Sequence, residues 1–335
     1  MIDYLITGGA GFIGSNIAEH LVNTGKTVRV FDDFSTGKRE NLAGLVAQTS
    51  LPVNNQLPSQ AGTPAPPKPG TLEIIEGDLR VLESVQRAAA GVRYVLHLGA
   101  IPSVPRSVED PVTTNQANIT GTVNLLVAAR DAKVKRVVFS SSSAIYGDTP
   151  TLPKREDMPA SPLSPYAVHK ITGEYYCRVF YQLYGLETVS LRYFNVFGPR
   201  QNPRSDYAAV IPRFITAILN GEPPTIFGDG QQTRDFSHVE NVIEANLAAC
   251  VAGKEACGEA FNIACGGRIS LLDLVKTINQ IAGKNIRPNH APPRAGDIKD
   301  SQADIAKAGK LLGWKPRVGF QAGIEKAVAW YRQQM

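Results

Sequence analysis

The sequence predicts an α/β fold, a doubly wound parallel sheet with a smaller C-terminal α/β lobe, and three observations carry that expectation. An apolar run, Tyr4-Leu5-Ile6, meets a glycine-rich turn at Thr7 to Gly14 and then a helical pattern, Ile17-Ala18 with Leu21-Val22. A second apolar run, Val28 to Phe31, ends in Asp32. Apolar runs and helical patterns then alternate as far as residue 192, as successive βαβ units do.

Gly8, Gly11 and Gly14 stand where strand gives way to helix. Glycines there allow a tight turn, close approach of a pyrophosphate and tight packing of helix on strand, while the free N–H groups at the helix start face the anion. Asp32 lies eighteen positions after Gly14. An acidic side chain there accepts hydrogen bonds from the adenosine ribose and repels a 2′-phosphate. This Rossmann-type signal predicts NAD rather than NADP, with Lys38 and Arg39 nearby as the counter-signal. Residues 1–192 are therefore expected to form the NAD-binding domain. Residues 193–335 are expected to form a substrate-binding lobe interleaved with it, later segments returning to the first domain.

The composition is that of a water-soluble globular chain: 335 residues, 43% hydrophobic and 19% charged. A net charge of +5 spread without a basic block suits an anionic small substrate better than nucleic acid. With no long apolar run and no leader pattern after Met1, no membrane is expected as partner and the cytoplasm is the expected compartment. Cys177, Cys250, Cys257 and Cys265 form no CxxC pair and have no His at ligand spacing, so no metal is expected and reduced, structural cysteines are.

After the polar turn Asp33-Phe34-Ser35-Thr36-Gly37, residues from about Ser50 to Gly70 carry prolines at 52, 58, 64, 66, 67 and 69. That composition predicts an exposed insertion with polyproline character. Strands at Leu72–Ile75 and Tyr94–Leu98 run into Asp78-Leu79 and Gly99-Ala100. Ligands in such sheets lie beyond the carboxyl ends of the strands, which puts Asp78 and Leu79 beside the adenine and Leu98 to Ile101 beside ribose and phosphates. His97 reads as a core histidine. One long helix is expected over 111–133, with Asn118 inside it. A strand, Arg136 to Phe139, releases Ser140 to Ser143 toward the crevice.

Pro165 then opens another long helical pattern, in which Tyr166 and Lys170 are four apart and share a face. The pair follows a dinucleotide turn and a strand-end serine cluster, which marks it as chemistry rather than a surface pair. Beyond it come a strand at 188–192, a helix from Pro212 to Asn220, short strands at 225–228 and 232–236, and helices at 271–282 and 322–331.

These residues resemble the extended short-chain dehydrogenase/reductase family and, within it, the UDP-hexose 4-epimerases. The resemblance rests on TGGAGFIG at 7–14, DDFSTG at 32–37, GDL at 77–79, FSSSSAIYG at 139–147, YAVHK at 166–170, RYFNVFGPRQ at 192–201, RDF at 234–236 and PRAGDI at 293–298. It covers nearly the whole chain outside the Pro-rich insertion. The resemblance implies Tyr166, Lys170 and Ser142 as catalytic residues, with Ser143 beside them. On the cofactor it implies Phe12, Ile13, Asp33, Phe34, Ser35, Thr36, Gly37, Asn118, Ser140 and Phe194 together with the glycines and Asp32. On the nucleotide-sugar it implies Asn195, Val210, Ile226, Arg234, Arg294 and Asp297, with Phe227 walling the uracil. Arg234 and Arg294 suit the diphosphate because a guanidinium grips phosphate oxygens bidentately.

Inverting carbon 4 requires the 4-hydroxyl to lose its proton as hydride leaves for the nicotinamide, giving a 4-keto sugar that turns and takes the hydride back. Tyrosine's reference pKa of about 10 must fall by roughly three units, about 4 kcal/mol, to act near neutrality. A nucleotide-sugar 4,6-dehydratase would carry an Asp-Glu pair where this chain has Ser143-Ala144. A UDP-glucuronate epimerase or decarboxylase remains an alternative, and a catalytically silent NAD-binding scaffold is the alternative of another class. The resemblance also implies a homodimer through helices 113–132 and 166–184, with Tyr176, Phe180 and Leu183 as candidates for a second apolar face. It places Ser301, four after Asp297, where enzymes restricted to glucose and galactose carry a tyrosine. A serine leaves room for an N-acetyl group, whose overpacking against a rigid aromatic would cost roughly 1–3 kcal/mol.

Overall fold

The computed structural model describes residues 1–49, 70–203, 209–293 and 299–335. The insertion's residues 50–69 lie outside the described residues, as do Arg294 and Asp297. Strand and helix alternate from β1 (Ile2–Thr7) and α1 (Phe12–Asn23) through β2 (Thr27–Asp32), α2 (Glu40–Thr49), β3 (Thr71–Glu76), α3 (Leu82–Ala89) and β4 (Val92–His97). Then come α4 (Val104–Glu109), α5 (Pro111–Asn115), α6 (Gly121–Asp131), β5 (Arg136–Ser142), α7 (Pro165–Tyr184) and β6 (Glu187–Tyr193). The later part holds β7 (Val196–Phe197), α8 (Val210–Asn220), β8 (Thr225–Phe227), β9 (Thr233–Arg234), β10 (Ser237–His238) and α9 (Val239–Val251). It ends with β11 (Ala260–Ile263), β12 (Ile269–Ser270), α10 (Leu271–Ala282), β13 (Asn289–Ala291), α11 (Ala306–Leu312) and α12 (Phe320–Gln333).

Seven strands form one parallel sheet in the order β11-β6-β5-β4-β1-β2-β3. The chain leaves β1 toward β2 and β3, then crosses back to β4 on the other side of β1. That reversal makes the switch point between β1 and β4, the place where such sheets open a crevice. Alternate side chains of β1 supply both cores: Ile6 packs with Ile17, Leu21, Val28 and Val242 on one face, and Leu5 with Val85, Val95, Leu125 and Phe139 on the other. A separate core of Phe197, Phe214, Ile226, Leu274, Ile278 and Ile324 builds the later lobe from α8, α10 and α12. β11 and α9 come from the later part of the chain yet belong to the sheet and its first core. No described helix is long and apolar enough to cross a membrane.

Two expectations are corrected. The helix expected over 111–133 runs from 111 to 131, but its middle turn, Gln116–Thr120, is π-helical. The cause is local: the Asn118 side chain bonds both backbone groups of Ile101, accepting from its N–H at 2.7 Å and donating to its carbonyl at 3.2 Å. Thr122 meanwhile takes the Asn118 carbonyl at 2.6 Å, and such side-chain competition widens a helical turn. Phe180 does not face outward. It is 6% exposed and packs in the chain's own core with Cys177 and Leu186.

Candidate active site

The crevice at the switch point has a volume of about 310 Å³. Gly8 adopts φ +67°, and a Cβ there would lie 2.8 Å from Gly99 Cα, so the loops after β1 and β4 touch only because neither carries a side chain. A Cβ on Gly14 would meet the Gly8 carbonyl oxygen at 2.3 Å. No side chain caps the start of α1. A bare helix N-terminus behind a cradle of this shape fits a pyrophosphate.

Asp32 ends β2 beneath that turn. Its carboxylate accepts from Ala10 N and Phe34 N, each at 2.9 Å, and lines the crevice. Burial raises its pKa, and those two amides oppose the rise. The same carboxylate thus holds the glycine turn and faces the ribose position. Gly11, Phe12, Ile13, Asp33, Ser35, Thr36, Asp78, Leu79, Leu98 and Ala100 also line the crevice. Phe34 and Gly37 do not line it: Phe34, at φ +56°, takes the Arg39 guanidinium over its ring at 3.9 Å. The Asp78 carboxylate is held by Arg80, whose hydrogen bonds lower its pKa. Asn118 is buried behind the wall, where it fixes Ile101. Phe194 packs under the site with Ile145 and Tyr146. His97 is a core residue between Thr7 and Thr122, with its pKa pushed down to about 3 by burial and by Lys170.

Helix α7 supplies the reactive pair. Ser164 caps it by accepting from Ala167 N at 3.2 Å, Pro165 fills its first position, and Gly185 at φ +70° ends it. Tyr166 and Lys170 project into the crevice beside Ser140 and Ser141, with the Lys170 ammonium 5.7 Å from the Tyr166 ring centroid. Lys170 Nζ donates to the Ser140 carbonyl oxygen at 2.7 Å. Burial pulls Lys170 down to about 8. Burial also pushes Tyr166 up to about 12, opposed by a hydrogen bond with the Ser142 hydroxyl. The free protein thus sets the phenol higher, not lower. Ser141 turns the other way, its hydroxyl donating to Glu174, which is paired with the buried Arg192 at 2.7 Å.

A second cavity of about 260 Å³ opens in the later lobe and gathers Asn195, Val210, Phe227 and Arg234. Tyr193 lines the first cavity and Asn195 the second, two residues apart. Asn195 sits at φ +32°, a strained backbone of the kind found at functional sites, with its amide donating to the Asp235 carbonyl oxygen at 3.3 Å. Arg234 Nη1 donates to the carbonyl oxygens of Thr233 and Lys299. Ile226 does not join that lining: its side chain is fully buried in the lobe's core. Ser301 is half-buried and binds Thr233 through its backbone N–H at 3.1 Å, and it lines neither cavity. Ser142 and Ser143 are half-buried at the end of β5.

The sequence reading missed the wall formed by α4. Ser107, fully buried there, accepts from Tyr166 N at 3.1 Å, and Arg106 lines the crevice. The signal was present in the caps Ser103 and Asp110, but six residues carry too little periodicity to show as a helix.

Residues 4–264 match the NAD dependent epimerase/dehydratase family. A UDP-glucose 4-epimerase from Mycolicibacterium smegmatis is 37% identical over 331 residues, covering 98% of each chain. A solved UDP-N-acetylglucosamine 4-epimerase from Methanobrevibacter ruminantium, in complex with UDP-N-acetylmuramic acid, is 39% identical with a TM-score of 0.86 over 100% of each chain. The Thermus thermophilus UDP-glucose 4-epimerase in complex with NAD is 36% identical with a TM-score of 0.82 over 100% of each chain.

Proposed function

Because this chain belongs to the NAD-dependent epimerase/dehydratase family, we infer that it interconverts UDP-N-acetylglucosamine and UDP-N-acetylgalactosamine, with UDP-glucose and UDP-galactose also accepted. The broader activity, NAD-dependent isomerase chemistry on UDP-hexoses, comes with the family. Bound NAD would supply the hydride acceptor for carbon 4 and the donor to its opposite face.

The observation that carries the reading is the Tyr166–Lys170 pair, which lines the glycine-built crevice with Ser142 at the end of the neighbouring β5. In this reading the Tyr166 phenolate takes the 4-hydroxyl proton and gives it back, and Ser142 holds the phenol by the hydrogen bond that already opposes its rise. Lys170 is fixed by the Ser140 carbonyl on the Tyr166 side of the crevice, where its charge favours the phenolate. Gly8, Gly14 and the start of α1 hold the pyrophosphate, while Asn195, Val210, Phe227 and Arg234 take the UDP end of the substrate.

The acetylated preference rests on Ser301, a small side chain on the segment paired with β9, and on the similarity to a UDP-N-acetylglucosamine 4-epimerase. The test is a substrate panel of UDP-N-acetylglucosamine, UDP-glucose and UDP-glucuronate on the wild type and on Ser301→Tyr. The wild type should turn over the acetylated sugar, and the tyrosine should suppress that reaction tenfold or more, the kinetic equivalent of roughly 1–3 kcal/mol of overpacking. Turnover of the unacetylated or uronic sugar alone, or a tyrosine without effect, overturns it. The assembly proposed with this activity is a homodimer through α7.

A further inference from the structure

The second cavity holds a cation that the functional reading leaves without a task. Arg213 stands in the first turn of α8, whose Ile211, Phe214, Ile215 and Ile218 are buried in the lobe's core, and its own side chain lines the cavity with Val210 and Arg234. It is half-buried. The other buried and half-buried guanidiniums among the described residues are held: Arg29 by Glu73, Arg130 by Asp131, Arg136 by Glu187, Arg192 by Glu174, Arg200 by Glu19, and Arg234 by two backbone carbonyls. Among the described residues Arg213 has neither an ion-pair nor a hydrogen-bond partner. Of the described residues lining the cavity, Arg213 and Arg234 are the charged side chains, and no carboxylate accompanies them.

A half-buried guanidinium that has lost part of its hydration and gained no acceptor is satisfied by an anion brought to it, best by oxygens it can grip in pairs. Arg234 is already committed at Nη1 to two backbone carbonyls. We propose that Arg213 is a further diphosphate-binding residue of the substrate cavity, gripping a phosphoryl group of the UDP-sugar from α8 while Arg234 approaches from β9. The inference rests on the UDP-sugar reading and extends it by one residue and one role. The two cations come from separate elements of the lobe, so a bound diphosphate would also tie α8 to β9.

The experiment compares wild type, Arg213→Gln and Arg213→Lys, each with its NAD content and thermal midpoint checked as a measure of folding. UDP binding is read by calorimetry and uridine binding by ligand-observed NMR. Arg213→Gln should weaken UDP about ten- to a hundredfold and leave uridine unchanged, with Arg213→Lys recovering part of the loss as a single point charge. In turnover the loss should fall on KM rather than kcat, and the difference between wild type and Arg213→Gln should shrink as salt screens the contact. Equal UDP binding by wild type and Arg213→Gln overturns the role of Arg213 alone, as does an equal loss for uridine and UDP. A wild type that binds neither UDP nor a UDP-sugar overturns the functional reading as well, which separates the two failures.

Discussion

Lys170 Nζ donates to the carbonyl oxygen of Ser140 at 2.7 Å, so the strand-end serine run anchors the lysine of α7 through its backbone rather than through a hydroxyl. The bond keeps a cation inside the crevice wall at 5% exposure. Its cost shows in the lysine's pKa, drawn from 10.5 to about 8 by burial.

That depression has a sign in stability. Between pH 8 and 10.5 the unfolded chain binds the proton and the folded chain does not, so folding becomes more favourable as pH rises through that window. Below it the folded state carries the full penalty, about 3 kcal/mol as an upper bound. Lys170→Met removes the penalty and also the bond to Ser140, a loss that does not depend on pH. The thermal midpoint of wild type minus that of Lys170→Met should therefore increase from about pH 7 to pH 10.5. A difference that stays flat across the window contradicts the burial of a charged lysine here.

Tyr166→Phe removes the phenolic proton acceptor and leaves the ring in place. Turnover should fall by about two to four orders of magnitude while NAD stays bound. Near-native turnover in a folded variant would remove Tyr166 from the chemistry. Ser142→Ala tests the one hydrogen bond that opposes the rise of the phenol, and the acidic limb of its pH–rate profile, where the phenol must lose its proton to act as base, should move to higher pH.

Long periodic segments were legible in the sequence. The helix over 271–282 has the bounds its apolar pattern implies, and the six strands from β1 to β6 fall where their apolar runs do. Short elements were not: β11 is four residues among glycines and cysteines, and only its parallel pairing with β6 makes it part of the sheet. The π turn at Asn118 depends on a loop seventeen residues away, which no local pattern encodes. The high pKa of Tyr166 was likewise out of reach, because spacing reports that a lysine is near but not how much water the phenol has lost.

The glycines of the chain separate cofactor geometry from ordinary helix propensity. Gly14→Ala puts a methyl 2.3 Å from the Gly8 carbonyl oxygen and 2.7 Å from Gly9 Cα, backbone atoms that cannot swing aside. Overpacking of about 1–3 kcal/mol should displace the turn, and the purified variant should retain little NAD. Gly44, in α2, has open space around it, with nothing within 4 Å of an added Cβ. Gly44→Ala should therefore retain NAD fully and gain up to about 1 kcal/mol. NAD absorbance and a thermal melt on both variants decide the point, and full NAD retention by Gly14→Ala would count against the cradle.

With Phe180 committed to the core, the apolar surface of α7 is carried by other side chains. Val168, Tyr175, Tyr176, Val179 and Leu183 are 43%, 60%, 38%, 41% and 69% exposed. Their spacing of seven or eight, then three or four, then four residues draws one stripe down the helix. A lone exposed valine needs no explanation, but a continuous stripe on one helix marks a docking face. A second copy of the same helix, laid antiparallel, would cover it with a self-complementary surface, as a two-fold interface requires. Light scattering at micromolar concentration should therefore return twice the mass of one chain, and Val179→Glu with Leu183→Glu should return the mass of one. Because both positions are exposed within a single chain, the double variant should keep its fold and its bound NAD. A wild type that already scatters as a single chain ends the proposal.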